Sequence, residues 1–274
     1  MDNRLFDLTD KVAVVTGAGA NGGLGHAMAL GLARFGADVA VPDIDEEGSL
    51  KTAGEIQGMG RRSLAMCCDV SIPEQINKLF LEIDRVFGKV DILINNAFAF
   101  PSRVHPDELT LEAWENTVNV CLTGYFLCAQ QAIRRMLKQG TGGSIINISS
   151  IAGISALGRG NFPYSVAKGG VNQLTKELAV EYAGQKIRVN AILPCQVRTP
   201  GIRKLLDDAR FGPSLRQRLL AGIPLNRLLE PEELVGPAVF LSSDAASAIT
   251  GVLLPVDGGN LALNAGGSHI WPTV

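Results

Sequence analysis

Apolar residues alternate along the chain between short runs and longer segments in which they recur every three or four positions. Short runs rich in valine and isoleucine are typical of buried strands, and the longer spacing is typical of helices with one buried face. Strands are predicted at residues 11–16, 39–42, 63–68, 91–94, 143–148, 187–193 and 252–256. Helices are predicted after Gly25 as far as Gly36 and at residues 46–59, 73–87, 111–137, 163–183 and 231–242.

This regular alternation of strand and helix predicts an α/β fold, a doubly wound, seven-stranded parallel sheet of the Rossmann type with helices on both faces. No linker-like stretch divides the sequence, so one domain is expected over residues 1–274. Residues 200–224 are rich in charges and leucines without a regular period, and they are interpreted as a mobile lid. Ligands of such sheets bind where the strands end, so functional side chains are expected at that edge.

The amino-acid composition argues against some classes of binding partner. The 274 residues are 46% hydrophobic and carry a formal charge of -2, with scattered basic residues, which argues against a nucleic-acid partner. No run reaches the roughly 20 apolar residues of a membrane span, and residues 1–11 lack the apolar centre of a signal peptide. A cytoplasmic protein is therefore predicted. The five cysteines have no disulfide or zinc spacing, so reduced thiols and no bound metal are expected at Cys67, Cys68, Cys121, Cys128 and Cys195.

A glycine-rich turn joins the first predicted strand to the first helix, where residues 17–25 read GAGANGGLG. Glycines let the backbone approach a pyrophosphate, and the N–H groups and dipole of a helix N-terminus favour its charge. The second strand ends at Asp43, where a dinucleotide fold places the carboxylate that hydrogen-bonds the adenosine ribose. Such a carboxylate repels a 2′-phosphate, so NAD is predicted rather than NADP. The alternatives are that the glycines serve only a tight turn and that Asp43 merely caps the next helix.

Tyr164 and Lys168 lie four residues apart within the predicted helix 163–183, which places both side chains on one face. An adjacent ammonium favours the phenolate, so the pair is suited to exchange a proton with an alcohol or a carbonyl. The alternative is an ordinary surface pair.

With these motifs in order, the sequence resembles the short-chain dehydrogenase/reductase family over about residues 5–260. The resemblance implies that Ser150, Tyr164 and Lys168 are catalytic: Tyr164 exchanges the proton, Lys168 lowers its pKa and anchors the nicotinamide ribose, and Ser150 holds the substrate oxygen. Its cofactor contacts would come from the glycine turn, the strand ends and the catalytic helix. They are Gly17, Asn21, Gly23, Leu24, Gly25, Asp43, Ile44, Asp69, Val70, Asn95, Asn96, Ala97, Tyr164, Lys168, Val197 and Thr199.

The chain departs from the family pattern in the turn and in the cleft. Five residues instead of three separate Gly17 from Gly23, and Phe98 and Cys195 stand where the family has glycine. Cys121 takes the place of the family's catalytic asparagine, whose backbone carbonyl is thought to hold a relay water; Asn119 lies two residues earlier. Ser150 lies one residue farther from Tyr164 than is commonest in the family, and Ser149 is the alternative for the catalytic serine.

The predicted function is an NAD-dependent oxidoreductase that moves a hydride between NAD and a secondary alcohol or ketone, with a sugar or polyol as substrate. One alternative is a reductase of 3-oxoacyl thioesters or steroid-type ketones, which a preference for NADPH would favour. A second is a non-catalytic NAD-binding regulator, suggested by the substitutions at Phe98, Cys121 and Cys195. The intact Ser150, Tyr164 and Lys168 oppose the second alternative.

Further polar residues fall in loops near the predicted strand ends, where they could meet a polar or anionic substrate or simply be solvated. They are His26, Arg103, His105, Arg159, Asn161, Gln196 and Arg203, of which His26 is expected to face solvent. The resemblance also implies a homotetramer whose first twofold interface pairs helices 111–137 and 163–183. The tail 260–274, with Leu261, Leu263, Ile270 and Trp271, is expected to dock on a neighbouring subunit.

Overall fold

Seven strands in the described part of the chain pair in parallel to form one sheet. The computed structural model describes residues 5–99, 104–158, 160–210 and 212–263. The strands are β1 (Val12–Val15), β2 (Asp38–Asp43), β3 (Ser63–Cys67), β4 (Ile92–Asn95), β5 (Gly143–Ile148), β6 (Ile187–Pro194) and β7 (Leu253–Val256). Their order across the sheet is β3-β2-β1-β4-β5-β6-β7. The predicted doubly wound parallel sheet is confirmed. Successive strands are added to one side of β1 as far as β3 and to the other side from β4 onward, and such folds bind their ligands where this order switches, between β1 and β4.

Helices connect the strands and cover both faces. They are α1 (Leu24–Arg34), α2 (Glu46–Gly58), α3 (Pro73–Phe87), α4 (Leu111–Val118), α5 (Gly124–Gln139), α6 (Phe162–Tyr182), α7 (Pro200–Leu206), α8 (Gly212–Leu220) and α9 (Val235–Ser242). Local signals fix several ends: Pro73 opens α3, and Gly88 closes it in the left-handed conformation with φ of 75°.

The sheet is buried on both sides, which is why its strands are apolar at successive positions. Ala13 and Val15 of β1 face α1 and α9, whereas Val12 and Val14 face α3 and α5. Burial of one large side chain in such a core stabilises the fold by about 1.5–3 kcal/mol. The two layers thereby hold the strand ends, and the residues that follow them, at fixed positions.

Three predicted elements differ from the structure. The predicted helix 111–137 is divided by a π-turn at Asn119–Thr123, in which the N–H of Gly124 bonds to the carbonyl of Asn119. The predicted lid 200–224 is not irregular, because it contains α7 and α8, which pack on an apolar cluster around Leu219 and Ile223. The predicted helix 231–242 begins as a 3₁₀ turn over Pro231–Leu234. In each case tertiary packing or a local turn overrides the sequence period.

The start of the C-terminal tail is tied to its own domain. The Asn260 side chain donates to the carbonyl of Gly222 at 2.5 Å, and the N–H of Leu261 bonds to Asp257 at 2.8 Å. Leu261 and Leu263 are half-buried. The predicted docking residues Ile270 and Trp271 lie outside the described residues. Among the helices that are described, none is long and apolar enough to cross a bilayer.

The contact between α1 and α9 gives a test of the packing. Gly31 is buried in α1, and a Cβ there would overlap the side chain of Val235. We expect Gly31→Ala to lower the free energy of unfolding by about 1–3 kcal/mol, because the two helices must separate. Urea unfolding measures this change.

Gly54→Ala is the matched control, since a Cβ at Gly54 of α2 meets nothing within 4 Å. The control should be stabilised by about 0.5–1 kcal/mol through helix propensity alone. Equal effects of the two substitutions would contradict the close packing of α1 on α9.

Candidate active site

The glycine turn between β1 and α1 is shaped for close backbone approach. Gly17 has φ of 67°, and a Cβ there would lie 2.7 Å from the Cα of Ala97. A Cβ at Gly25 would overlap the Gly17 carbonyl. No side chain caps α1, whose N-cap is Gly23. Uncapped N–H groups above a glycine cradle fit a pyrophosphate, so this part of the site suits a dinucleotide.

Two side chains hold the longer turn. The Asp43 Oδ2 accepts the Gly19 N–H at 2.6 Å, and the His26 Nδ1 accepts the Gly22 N–H at 3.4 Å. The His26 Nε2 lies 3.4 Å from Glu55, and its side chain is 11% exposed. The prediction that His26 faces solvent is therefore wrong, since His26 braces the turn against α2.

Asp43 lies at the end of β2 and is 9% exposed. Its second oxygen accepts the N–H of Asp45 at 2.9 Å. The N-cap of α2 is Asp45, whose side chain accepts the N–H of Gly48. The alternative that Asp43 merely caps α2 is therefore wrong. Each Asp43 oxygen keeps a lone pair for a ribose hydroxyl, because a carboxylate has about four acceptor positions.

The two asparagines after β4 turn their side chains inward. Asn95 is fully buried and its Nδ2 donates to the carbonyl of Tyr125 at 3.1 Å and to Asn147 at 2.9 Å. The Asn96 Nδ2 donates to the carbonyls of Thr16 and Gly17 at 3.0 and 2.8 Å. These amides hold the strand ends and the glycine turn, and their place along the cofactor stays a prediction.

The other predicted cofactor residues lie at the same edge of the sheet. Asn21 and Leu24 belong to the glycine turn and the start of α1, Ile44 follows β2, Asp69 and Val70 follow β3, Ala97 follows β4, and Val197 and Thr199 follow β6. Thr199 caps α7 and its N–H bonds to the carbonyl of Val197 at 2.9 Å. The common edge is thus as the sequence predicts.

The two candidate serines have different hydrogen-bond partners in the structure. Ser149 is 2% exposed, and its hydroxyl donates to Asn172 at 2.6 Å, with the Lys168 carbonyl 3.2 Å from the same oxygen. Ser150 is hydrogen-bonded to Tyr164, and its Oγ also accepts the N–H of Ala152 at 3.1 Å. Ser150 is therefore the serine beside the phenol.

Lys168 is 2% exposed, and its ammonium is held by oxygen atoms and aromatic rings. The Nζ donates to the carbonyl of Ile148 at 2.6 Å and to the Tyr125 hydroxyl at 3.0 Å. It lies 4.5 Å from the Tyr125 ring centroid and 5.5 Å from that of Tyr164. Phenol, ammonium and serine hydroxyl thus meet at the sheet edge that also carries the glycine turn, which is an arrangement for proton exchange with an alcohol or carbonyl.

Burial shifts both Tyr164 and Lys168 toward their neutral forms. Burial raises the pKa of Tyr164, the Cys121 sulfur acts in the same direction, and the hydrogen bond with Ser150 opposes the rise. Burial lowers the pKa of Lys168 from 10.5 to about 8, and Cys121 opposes that change. Desolvation dominates at the phenol, so Tyr164 is protonated at neutral pH. That Lys168 favours the phenolate, as the resemblance implies, stays a prediction.

Cys121 is fully buried in the π-turn between α4 and α5. Its Sγ accepts the N–H of Ala99 at 3.5 Å and packs among Ala167 and the Tyr164 side chain. Asn119 is exposed, so its side chain does not replace the missing asparagine. Cys195 packs on the apolar cluster beneath α7 and α8, and Phe98 is 55% exposed.

The remaining polar candidates lie on different elements. Arg203 pairs with Glu230 at 3.2 Å, and His105 precedes a 3₁₀ turn. The Gln196 carbonyl accepts the N–H of Leu229, and the Asn161 Oδ1 is buried without a hydrogen-bond partner. Arg103 and Arg159 lie outside the described residues. Within the described ranges, no group of three or more His, Cys, Asp or Glu side chains could hold a metal ion.

Sequence reasoning overlooked Tyr125 and the Ile148 carbonyl, which hold Lys168. A signal for Tyr125 was present, since it lies four residues after Cys121 and helical geometry places such a pair on one face. The carbonyl had no signal, because every residue carries one.

Comparison with known proteins agrees with this geometry. A family model described as enoyl-(acyl carrier protein) reductase matches residues 17–260. The chain is 39% identical to cis-4-hydroxycyclohexanecarboxylate dehydrogenase of Sinomonas cyclohexanicum, over 93% of this chain and 98% of that protein. It is 36% identical to L-rhamnose 1-dehydrogenase (NAD(P)(+)) of a Sphingomonas species, over 92% and 96%.

A crystal structure from Beutenbergia cavernae, assigned as an NAD(P)-dependent gluconate 5-dehydrogenase with NADP bound at low occupancy, superposes with a TM-score of 0.86. The two chains are 36% identical, and the match covers 94% of this chain and 99% of the other. The named relatives are dehydrogenases acting on CH–OH groups, and their names span both nicotinamide cofactors.

The buried ammonium has a stability cost that can be measured. In Lys168→Met, the Ile148 carbonyl keeps the hydrogen bond from the Tyr125 hydroxyl at 3.2 Å. We expect this variant to lose activity and to gain about 1–3 kcal/mol in free energy of unfolding at pH 7, because no charge is buried. The gain should shrink between pH 8 and pH 10.5, since there the unfolded wild type holds a proton that the folded form has released.

Denaturant unfolding across this pH range checks the expectation. Lys176→Met, at an exposed position on the same helix, should change the stability by less than about 0.5 kcal/mol. A Lys168→Met variant that is less stable than wild type at pH 7 would show that burial of the ammonium does not lower the free energy of unfolding.

Proposed function

Because the chain belongs to the short-chain dehydrogenase/reductase family, we propose that it is an NAD-dependent dehydrogenase of secondary alcohols. It oxidises a ring or chain hydroxyl, or the hemiacetal carbon, of a sugar, polyol or cyclic alcohol, and it reduces the matching ketone in reverse. The observation that carries the proposal is the meeting of Ser150, Tyr164 and Lys168 at the sheet edge that also carries the glycine turn.

Each of the three side chains has a distinct role in this reaction. Tyr164 accepts the hydroxyl proton in oxidation and donates it in reduction, while Ser150, hydrogen-bonded to Tyr164, holds the substrate oxygen in place. Lys168 favours the phenolate through its charge and keeps a donor for the nicotinamide ribose. Bound NAD supplies the hydride acceptor. Gly17, Gly23, Gly25 and Asp43 would hold its pyrophosphate and adenosine.

Asp43 supports NAD as the preferred cofactor. Its carboxylate is buried at the end of β2 and is ordered by two backbone N–H groups. A 2′-phosphate placed there would meet a fixed negative charge with no arginine on either oxygen. The relatives named for both cofactors differ from this chain at most positions, so their names do not decide the preference.

The named relatives support a sugar, polyol or cyclic alcohol as the substrate class, since their names are those of dehydrogenases of a hydroxycyclohexanecarboxylate and of rhamnose. The family model described for acyl-carrier-protein substrates favours a thioester reductase as the second candidate. Faster turnover of a 3-oxoacyl thioester with NADPH than of any alcohol would favour that candidate.

We also propose a homotetramer. Exposed apolar side chains on α5 and α6 include Phe126, Leu137, Val166 and Val180, the last 80% exposed. A twofold axis along these helices would cover them, and the last helix and strand would form the second interface. The docking of the tail and the cytoplasmic location stay predictions.

Tyr164→Phe tests the reaction chemistry. The variant should lose at least 100-fold in kcat while NADH still binds, because only the transferable proton is removed. Steady-state rates with the fastest alcohol of a sugar, polyol and cyclic-alcohol screen measure the loss. In wild type the oxidation rate should rise with pH, since oxidation needs the phenolate and burial raises the pKa of Tyr164. Turnover within tenfold of wild type would sink the assignment, and Tyr182→Phe on the same helix is the control that should keep full activity.

Asp43→Ser tests the cofactor preference. Wild type should favour NAD over NADP by at least tenfold, about 1.4 kcal/mol, and Asp43→Ser should shrink that ratio. The ratio of kcat/KM for the two cofactors is the measurement. Asp45→Ser keeps a good N-cap on α2 and should leave the ratio unchanged. A wild type that prefers NADP would show that the role assigned to Asp43 is wrong.

A further inference from the structure

We infer that Tyr125 is a positioning residue of the reaction, whose hydroxyl holds Lys168 in place. The inference rests on the proposed function for its catalytic consequence. The structural part of the inference does not depend on the proposed function, because it comes from the contacts of the buried Lys168 ammonium.

Lys168 is almost completely buried, and none of the ion pairs within the described ranges includes it. An ammonium has three donors and no acceptor, so each N–H in a dry site needs an oxygen. One N–H is bonded to the Ile148 carbonyl at 2.6 Å and a second to the Tyr125 hydroxyl at 3.0 Å. The third donor is left for the ligand side of the cleft.

The Tyr125 hydroxyl is suited to this place because it stays neutral. Tyr125 is 1% exposed, and burial raises its pKa well above 10.0. Its oxygen accepts from Lys168, and its hydrogen points to the Ile148 carbonyl at 3.2 Å. Lys168, Tyr125 and the end of β5 therefore form a closed triangle of hydrogen bonds, which fixes the direction of the ammonium.

The backbone of Tyr125 is fixed from the opposite side. Its carbonyl accepts from the buried Asn95 of β4, whose Nδ2 also bonds to Asn147 of β5. The Asn147 Nδ2 donates in turn to Thr175 of α6 at 2.9 Å. The chain of amides ties α5 to both strands and to the helix that carries Lys168. Displacement of Tyr125 would therefore disturb bonds on several elements.

No other side chain in the described ranges offers Lys168 a comparable acceptor. Cys121, one turn before Tyr125, presents a sulfur, which is a weak acceptor and already receives the Ala99 N–H. The titratable side chains that face Lys168 are Cys121, Tyr125 and Tyr164. A hydrogen bond to the charged form favours that form, so loss of the Tyr125 hydroxyl must lower the pKa of Lys168 further below about 8.

Tyr125→Phe in the full chain tests the inference, since phenylalanine keeps the ring and removes only the hydroxyl. NMR of protein labelled at the lysine side-chain carbons follows the titration of Lys168, whose signal is identified by its absence in Lys168→Met. We expect the midpoint to fall by at least one pH unit in Tyr125→Phe and to stay unchanged in the control Tyr182→Phe. NADH affinity and kcat should fall about tenfold at pH 8, and the alkaline limit of ketone reduction should shift by the same amount as the NMR midpoint.

A second variant keeps the inference testable if Tyr125→Phe does not fold. Difluorotyrosine at position 125 keeps the hydroxyl but makes its oxygen a weaker acceptor, so the Lys168 midpoint should fall by less than in Tyr125→Phe. An unchanged midpoint in both variants would overturn the inference, whether or not the protein is a dehydrogenase. A shifted midpoint in a protein that oxidises no alcohol would overturn the proposed function and leave the structural role of Tyr125 intact.

Discussion

The site depends on keeping an ammonium in the protein interior without a carboxylate partner. A paired carboxylate would stabilise the Lys168 ammonium but would cancel its charge, which in the proposed reaction favours a phenolate on Tyr164. The fold holds the ammonium instead with a strand-end carbonyl and the Tyr125 hydroxyl, which are neutral dipoles. Burial lowers the pKa of Lys168 to about 8, and no carboxylate offsets that change.

This constraint accounts for features well away from Lys168. Asn95 and Asn147 are fully buried amides in the centre of the sheet, where apolar side chains would pack at lower cost. Their hydrogen bonds place β4, β5, α5 and α6 relative to one another. The glycine turn is held in a comparable way by Asp43 and His26, which act on its backbone N–H groups. Polar side chains in the interior thus position both the Tyr164–Lys168 pair and the glycine turn.

The sequence was sufficient to predict the sheet and the edge at which the site lies, because both follow from patterns of several residues. Seven apolar strands separated by helices specify a parallel sheet, and the spacing of Tyr164 and Lys168 specifies a shared helix face. What the sequence could not predict depends on the direction of single side chains. Asn95 and Asn96 turn their side chains toward neighbouring backbone groups, and His26, expected in solvent, is largely covered and contacts the glycine turn and Glu55. The direction of the Tyr164 pKa depends on desolvation, which is set by the whole surroundings of the phenol.

The proposed reaction moves a hydride from the carbinol carbon of a secondary alcohol to NAD. The most direct test is to incubate the purified protein with NAD and an alcohol deuterated at that carbon, and to weigh the dinucleotide by mass spectrometry. We expect reduced dinucleotide heavier by one deuterium, formed in equal amount to the ketone. Dinucleotide that stays oxidised with every sugar, polyol and cyclic alcohol tried, or that is reduced without deuterium, would contradict it.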